Sequence, residues 1–69
     1  MNEITVVANG KPRTAVAGAT VHDFLCALDL APPQVVVEYN GEPLERNSYT
    51  LTPLRSGDRI EIAQMVGGG

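Results

Sequence analysis

Apolar residues recur along the chain with two different periods, and the change of period marks its elements. Ile4, Val6 and Ala8 alternate with Thr5 and Val7 in a β-branched run, which predicts a strand over residues 4–8. Val7 makes the opposite face partly apolar as well. Asn9-Gly10 follows at once, and this dipeptide suits the positive φ that both central positions of a type I′ hairpin turn require. The return strand covers residues 11–16 with Ala15 on the Ile4 face. Pro12 assigns it to a sheet edge, where a missing N–H does no harm.

Gly18 stops that strand and the period lengthens. Val21, Phe24, Leu25 and Leu28 fall at i, i+3, i+4 and i+7, the apolar stripe of a short amphipathic helix. Thr20 is its N-cap, and Asp23 three residues on gives a shortened capping box whose charge suits the helix start. Pro32-Pro33 ends the helix, because a proline drives the residue before it, Ala31, out of helical geometry. Val35, Val37 and Tyr39 then alternate with Val36 and Glu38 in a third strand, which runs into a second hairpin dipeptide, Asn40-Gly41. Residues 42–52 are polar, anchored by Leu44, Tyr49 and Leu51, and hold a short edge strand. Pro53 and Ser56-Gly57-Asp58 mark turns. Residues 59–63 alternate cleanly as the last strand, with Ile60 and Ile62 inward.

The order β-β-α-β-β-β predicts an α+β domain over residues 1–65: a mixed sheet of four to five strands with one helix packed on one face. That is the layout of ubiquitin-like β-grasp proteins. A crossover through the helix demands a parallel pairing, assigned to the first and last strands. The other sheet face stays open and offers Val36, Ala63 and Met65 as a small apolar area for a partner. Residues 66–69, Val66-Gly67-Gly68-Gly69, form a flexible glycine tail.

Size and charge narrow the function. The chain has 69 residues, and so small a domain buries only about 60% of the surface its unfolded chain exposes. There is little room for an enclosed active site, which argues against an enzyme acting alone. Eight acidic and five scattered basic residues give a net charge of −3, with no basic patch for nucleic acid. Glu38, Glu42, Glu45, Asp58 and Glu61 read as a solvated surface that discourages edge pairing and steers a basic partner. One cysteine forms no internal disulfide. Asn2, Glu3 and Ile4 open without a basic region and a long apolar stretch, so no signal peptide is expected, and no apolar run nears the ~20 residues that span a membrane. A reducing cytoplasm is the expected location.

Conventional chemistry is sparse. His22 and Cys26, four apart, share one helix face and can touch, but no third ligand or orienting acid accompanies them, so neither a metal site nor a catalytic residue is assigned. Four cysteines for an iron–sulfur cluster are lacking, and the glycines carry no lysine or following helix to make a phosphate loop. What remains is the carboxylate of Gly69. On its own the tail also reads as a frayed end. As a carrier handle the carboxylate needs activation, for instance as an acyl adenylate, and four residues reach about 13 Å from the last strand.

The chain resembles the thiamin-pathway sulfur carrier proteins, the ThiS-type ubiquitin-like carriers of bacteria and plastids. The resemblance rests on Val7-Ala8-Asn9-Gly10-Lys11-Pro12-Arg13, the helix entry Ala19-Thr20-Val21-His22-Asp23-Phe24-Leu25, Val37-Glu38-Tyr39-Asn40-Gly41-Glu42, the run from Pro53 to Ile62, and Val66-Gly67-Gly68-Gly69. It implies that Gly69 is adenylated by a ubiquitin-activating-like adenylyltransferase that uses ATP, then converted to a thiocarboxylate. A desulfurase or rhodanese-type protein supplies the sulfur, and thiazole synthase accepts it. The resemblance places Val66, Gly67 and Gly68 in the partner's channel; many members end in two glycines, and Gly67 here adds a third. No bound cofactor is implied. Two readings compete: a carrier for another acceptor, like the small subunit of molybdopterin synthase, and a ubiquitin-like interaction module that docks through its open face.

Overall fold

The computed structural model describes residues 2–65. Strands β1 (Glu3–Ala8) and β2 (Lys11–Val16) form the first hairpin. Helix α1 (Val21–Ala27) follows, then a 3-10 turn (Pro32–Gln34), β3 (Val35–Tyr39), β4 (Glu42–Leu44), a second 3-10 turn (Arg46–Leu51) and β5 (Arg59–Gln64). The five strands make one mixed sheet in the order β2-β1-β5-β3-β4. β1 and β5 are parallel, through Val7↔Arg59 and Ala8↔Ile60, while every other neighbouring pair is antiparallel. This is the expected β-grasp, with the last of the described strands, β5, at the centre of its sheet. Among the described residues no helix is long and apolar enough to cross a membrane.

The period-2 and period-3.6 stripes meet in one core. Val6, Ala8, Val35, Val37 and Ile60 come from the sheet, Val21, Phe24 and Leu25 from α1, and Tyr49 and Leu54 from the connections. Val21 and Leu25 are fully buried, and complete burial contributes about 1.5–3 kcal/mol for each such side chain. The capping box closes the start of α1: Thr20 Oγ1 accepts from the Asp23 N–H, and Asp23 Oδ2 accepts from the Thr20 N–H. The segment after the second 3-10 turn returns to this corner, where Thr52 and Ala19 carbonyls accept from Val21 and Leu54 N–H.

Three expectations need correction. The helix stops before the prolines. Asp29 takes a left-handed φ of 63°, and the Leu30 and Asp29 N–H groups return to the carbonyls of Leu25 and Cys26. This pattern satisfies the last carbonyls and tucks Leu30 under the helix, so Pro32 and Pro33 open a 3-10 turn instead. Leu51 is no anchor but 76% exposed. A strand would put it on the Tyr49 side, whereas a 3-10 turn has three residues per revolution and points it away. Leu54 fills the core in its place.

The third correction concerns Asp58, which is 8% exposed rather than part of a solvated acidic surface. Its Oδ2 accepts from Tyr39 Oη at 2.6 Å and from the Arg55 N–H at 2.8 Å; its Oδ1 accepts from Asn40 Nδ2 at 3.2 Å. Its own carbonyl accepts from the Val7 N–H at 2.8 Å, the contact that lays the start of β5 against β1. Burial by itself pushes the Asp58 carboxyl up. The hydrogen bonds from Tyr39, Arg55 and Asn40, with the Arg55 charge, outweigh it and hold the group below its ordinary range. The hydrogen bond to that carboxylate, with burial and its charge, raises Tyr39.

These directions set a pH window. Asp58 has the lower pKa when folded, so its contribution is complete above the unfolded value near ~4 and is lost as pH falls through the folded one. Tyr39 has the higher pKa when folded, so its contribution is complete below ~10 and is lost as pH rises through the folded value. Tyr39→Phe is expected to cost about 1.5–3 kcal/mol at neutral pH, to shrink the acid loss and to remove the alkaline loss due to this tyrosine. Urea unfolding at a series of pH values checks this; a variant with wild-type stability and pH profile would contradict the role given to the pair.

Candidate functional site

The site is the end of β5 and the sheet face beside it, and its position begins with the two Asn-Gly turns. Asn9 and Gly10 take φ of 52° and 82°, Asn40 and Gly41 52° and 87°, as a type I′ turn demands. Both asparagines then reach beyond their own turns to β5. The Asn9 main-chain N–H donates to the Ile60 carbonyl at 2.9 Å. Its side-chain Oδ1 accepts from the Ile62 N–H at 2.7 Å, and Nδ2 donates to the Ile62 carbonyl at 3.1 Å. A side-chain amide thus replaces a strand's peptide group and extends the parallel ladder past the end of β1. Asn40 holds the start of β5 from the other flank: its N–H donates to the Arg59 carbonyl and its Oδ1 accepts from the Arg59 N–H, both at 2.8 Å.

The far end of β5 is fixed in the same manner. Gln64 pairs with Val35, and the Met65 N–H donates to the Gln34 carbonyl at 2.9 Å. Arg46 Nη2 donates to the Val35 carbonyl at 3.3 Å and lies 3.9 Å from Met65 Sδ. Val66, Gly67, Gly68 and Gly69 lie outside the described residues.

The open face carries the apolar residues expected of it. Val36 and Ala63 are directly opposed on β3 and β5, and Val36 is 48% exposed. On the same face Glu38 opposes both Glu61 and Pro43. A shallow depression is lined by these five residues together with Val37 and Ile62. Met65 comes directly after β5 and is half-exposed. An apolar centre with carboxylates at its rim suits a partner surface that is apolar with a basic border.

His22 and Cys26 do meet on α1, with Cys26 Sγ 3.9 Å from His22 Nδ1 and the thiol exposed. No third group joins them: among the described residues no cluster of three or more His, Cys, Asp or Glu side chains is placed to hold a metal. Asn9 and Arg46 went unassigned in the sequence. The choice of Asn over Asp or Gly in both turns is the one signal for the clamp, since only the amide both donates and accepts. Nothing local announces Arg46.

The chain matches the ThiS family over residues 6–69. It is 39% identical over 61 residues to a thiazole synthase of Magnetococcus marinus and 36% over 64 residues to one of Paramagnetospirillum magneticum. Those matches cover 88% and 93% of this chain but 19% and 20% of the relatives, so the chain spans about a fifth of their length. An uncharacterized protein of Trieres chinensis, ycf40, is 29% identical over 94% of this chain and 89% of its own. The crystal structure of thiamine biosynthesis protein ThiS from Geobacter metallireducens superposes with a TM-score of 0.81 at 38% identity, covering 96% of this chain and 100% of that one. A solution structure of a thiamine biosynthesis protein from the same organism gives 0.79, also at 38% identity, over 96% and 88%.

Asn9→Gly keeps the turn geometry and deletes the two side-chain bonds to Ile62. It is expected to cost about 1–2 kcal/mol and to speed amide exchange at Ile62 more than at Ile60. Exchange rates with a urea titration decide; equal protection at Ile62 in both proteins would refute the clamp.

Proposed function

The chain belongs to the ThiS family, and on that premise we propose that it is a sulfur carrier of thiamin biosynthesis whose Gly69 carboxylate bears the sulfur. The observation that supports this most is a family match that runs through the last glycine, together with a β5 whose start is paired with β1 and whose end is bound to β3 and the Pro32–Gln34 turn. The folded part is a rigid handle, and the chain leaves it at Met65 from a defined place.

The chemistry belongs to the carboxylate and the partners. A ubiquitin-activating-like adenylyltransferase joins the Gly69 carboxylate to the adenylyl group of ATP and releases pyrophosphate. The outer sulfur of a persulfide on a desulfurase or rhodanese-type protein then attacks the acyl adenylate and displaces AMP, giving an acyl disulfide. A second thiol of the partner attacks the partner-side sulfur of that bond, is oxidised to a disulfide with it, and releases the thiocarboxylate. Glycine puts no side chain against the reacting carbonyl, and Val66, Gly67 and Gly68 occupy the partner's channel. The protein contributes no acid, base or resident cofactor; ATP is consumed by the activating partner. Thiazole synthase is the proposed acceptor, supported by the related segment in two proteins that bear that name. Val36, Ala63 and Met65 dock the partner, and Glu38 and Glu61 steer it. Asp58 leaves that steering set because Tyr39, Asn40 and Arg55 occupy its carboxylate. A reducing cytoplasm fits a thiocarboxylate and a free thiol.

Incubation with the activating enzyme, ATP and a sulfur donor is expected to raise the intact mass by the difference between sulfur and oxygen. Deleting Gly69 abolishes the gain without altering the unfolding midpoint. An unchanged mass, in a mixture that loads the Geobacter metallireducens protein, would sink the reading. Val36→Asp buries a charge at the docking centre and is expected to raise the KM for the carrier about tenfold with the fold intact. A wild-type KM would exclude this face from docking.

A further inference from the structure

The chain leaves β5 at Met65, and that residue is held from two directions. Its N–H donates to the Gln34 carbonyl at 2.9 Å, and the Arg46 guanidinium lies 3.9 Å from its Sδ. Arg46 Nη2 also donates to the Val35 carbonyl at 3.3 Å. That carbonyl already accepts from the buried Tyr49 Oη at 3.2 Å, so its hydrogen bonding inside the domain is met without the arginine. Arg46 is exposed, and an exposed long cation adds little to fold stability. Its placement between β3 and Met65 is therefore not explained by folding.

We propose that Arg46 is a positioning residue for sulfur loading. By keeping Met65 against the Pro32–Gln34 turn it fixes the point and direction from which residues 66–69 enter the activating partner's channel. This rests on the sulfur-carrier reading above. The physical content is pre-ordering. A residue that is free before the tail threads must be ordered during threading, and ordering one backbone residue corresponds to about a five- to thirtyfold rate factor. The retained Gln34 bond puts the expected effect of losing Arg46 at the lower end of that range. The docking centre, Val36 and Ala63, does not touch Arg46, and Met65 beside it stays tied to the Gln34 carbonyl without the arginine, so the loss falls on turnover rather than on binding of the carrier.

The test uses the full chain as wild type, Arg46→Ala and Arg46→Lys. Pyrophosphate release by the activating enzyme gives kcat and KM for each carrier, and amide exchange reports on Met65, Ile60 and Ile62. Arg46→Ala is expected to lower kcat about fivefold with KM and unfolding midpoint unchanged. Exchange at Met65 quickens while Ile60 and Ile62 stay protected, and Arg46→Lys recovers part of kcat by restoring a donor. A wild-type kcat in Arg46→Ala overturns the proposal. So does a higher KM at unchanged kcat, which would make Arg46 a docking contact, and so does faster exchange at Ile60, which would make it a structural residue. If wild type itself shows no ATP-dependent loading, the sulfur-carrier reading falls and this proposal with it. Normal wild-type loading beside an unaffected Arg46→Ala removes this proposal alone.

Discussion

The pairing of β5 between β1 and β3 is the constraint on which the rest depends. Among the described residues β5 is the last strand in sequence and the middle one in space. A parallel partner in β1 cannot be reached through a tight turn, so the chain must cross over, and α1 is the body of that crossover. The helix covers the Val6 and Ile60 side of the sheet, which leaves Val36 and Ala63 uncovered on the other. One strand order thus fixes the core, the open face and the place where the chain leaves the domain.

Polar side chains, with one main-chain carbonyl, do much of the anchoring. Asp58 and Asn40 hold the start of β5, Asn9 its second half, and the Gln34 carbonyl the residue just beyond it. In a domain this small a single core contributes only about 3–5 kcal/mol, and hydrogen bonds worth about 1 kcal/mol each are a sizeable share of that margin. No buried side-chain nitrogen or oxygen among the described residues lacks a partner, so the network carries no offsetting desolvation cost of that kind. The result is a strand fixed at both ends. A stiff strand beside an open, acid-rimmed apolar face suits a carrier that others must grip and load.

The elements with a strong period were legible from the sequence: both Asn-Gly hairpins, the capped helix, the alternating last strand and the parallel pair. What escaped was tertiary. Asp58 looks like any surface acid until Tyr39 and Asn40, eighteen or more residues away in sequence, close on it. Leu51 reads as inward only if the segment is a strand, and the 3-10 turn reverses it. Asp29 hides the helix end because a left-handed cap is usually glycine. At the site, Val36 and Ala63 were legible as a face. Asn9 and Arg46 were not, because their partners lie on strands that only the fold brings near.

The central claim is that this chain carries sulfur on Gly69 and gives it up to a thiazole-forming acceptor. It is tested most directly in a single turnover: the chain loaded with radiolabelled sulfur is mixed with thiazole synthase and its remaining substrates. The label is expected to leave the protein and enter the thiazole, one sulfur for each loaded chain. Label that stays on the protein, or unlabelled thiazole formed at the same rate, would contradict it.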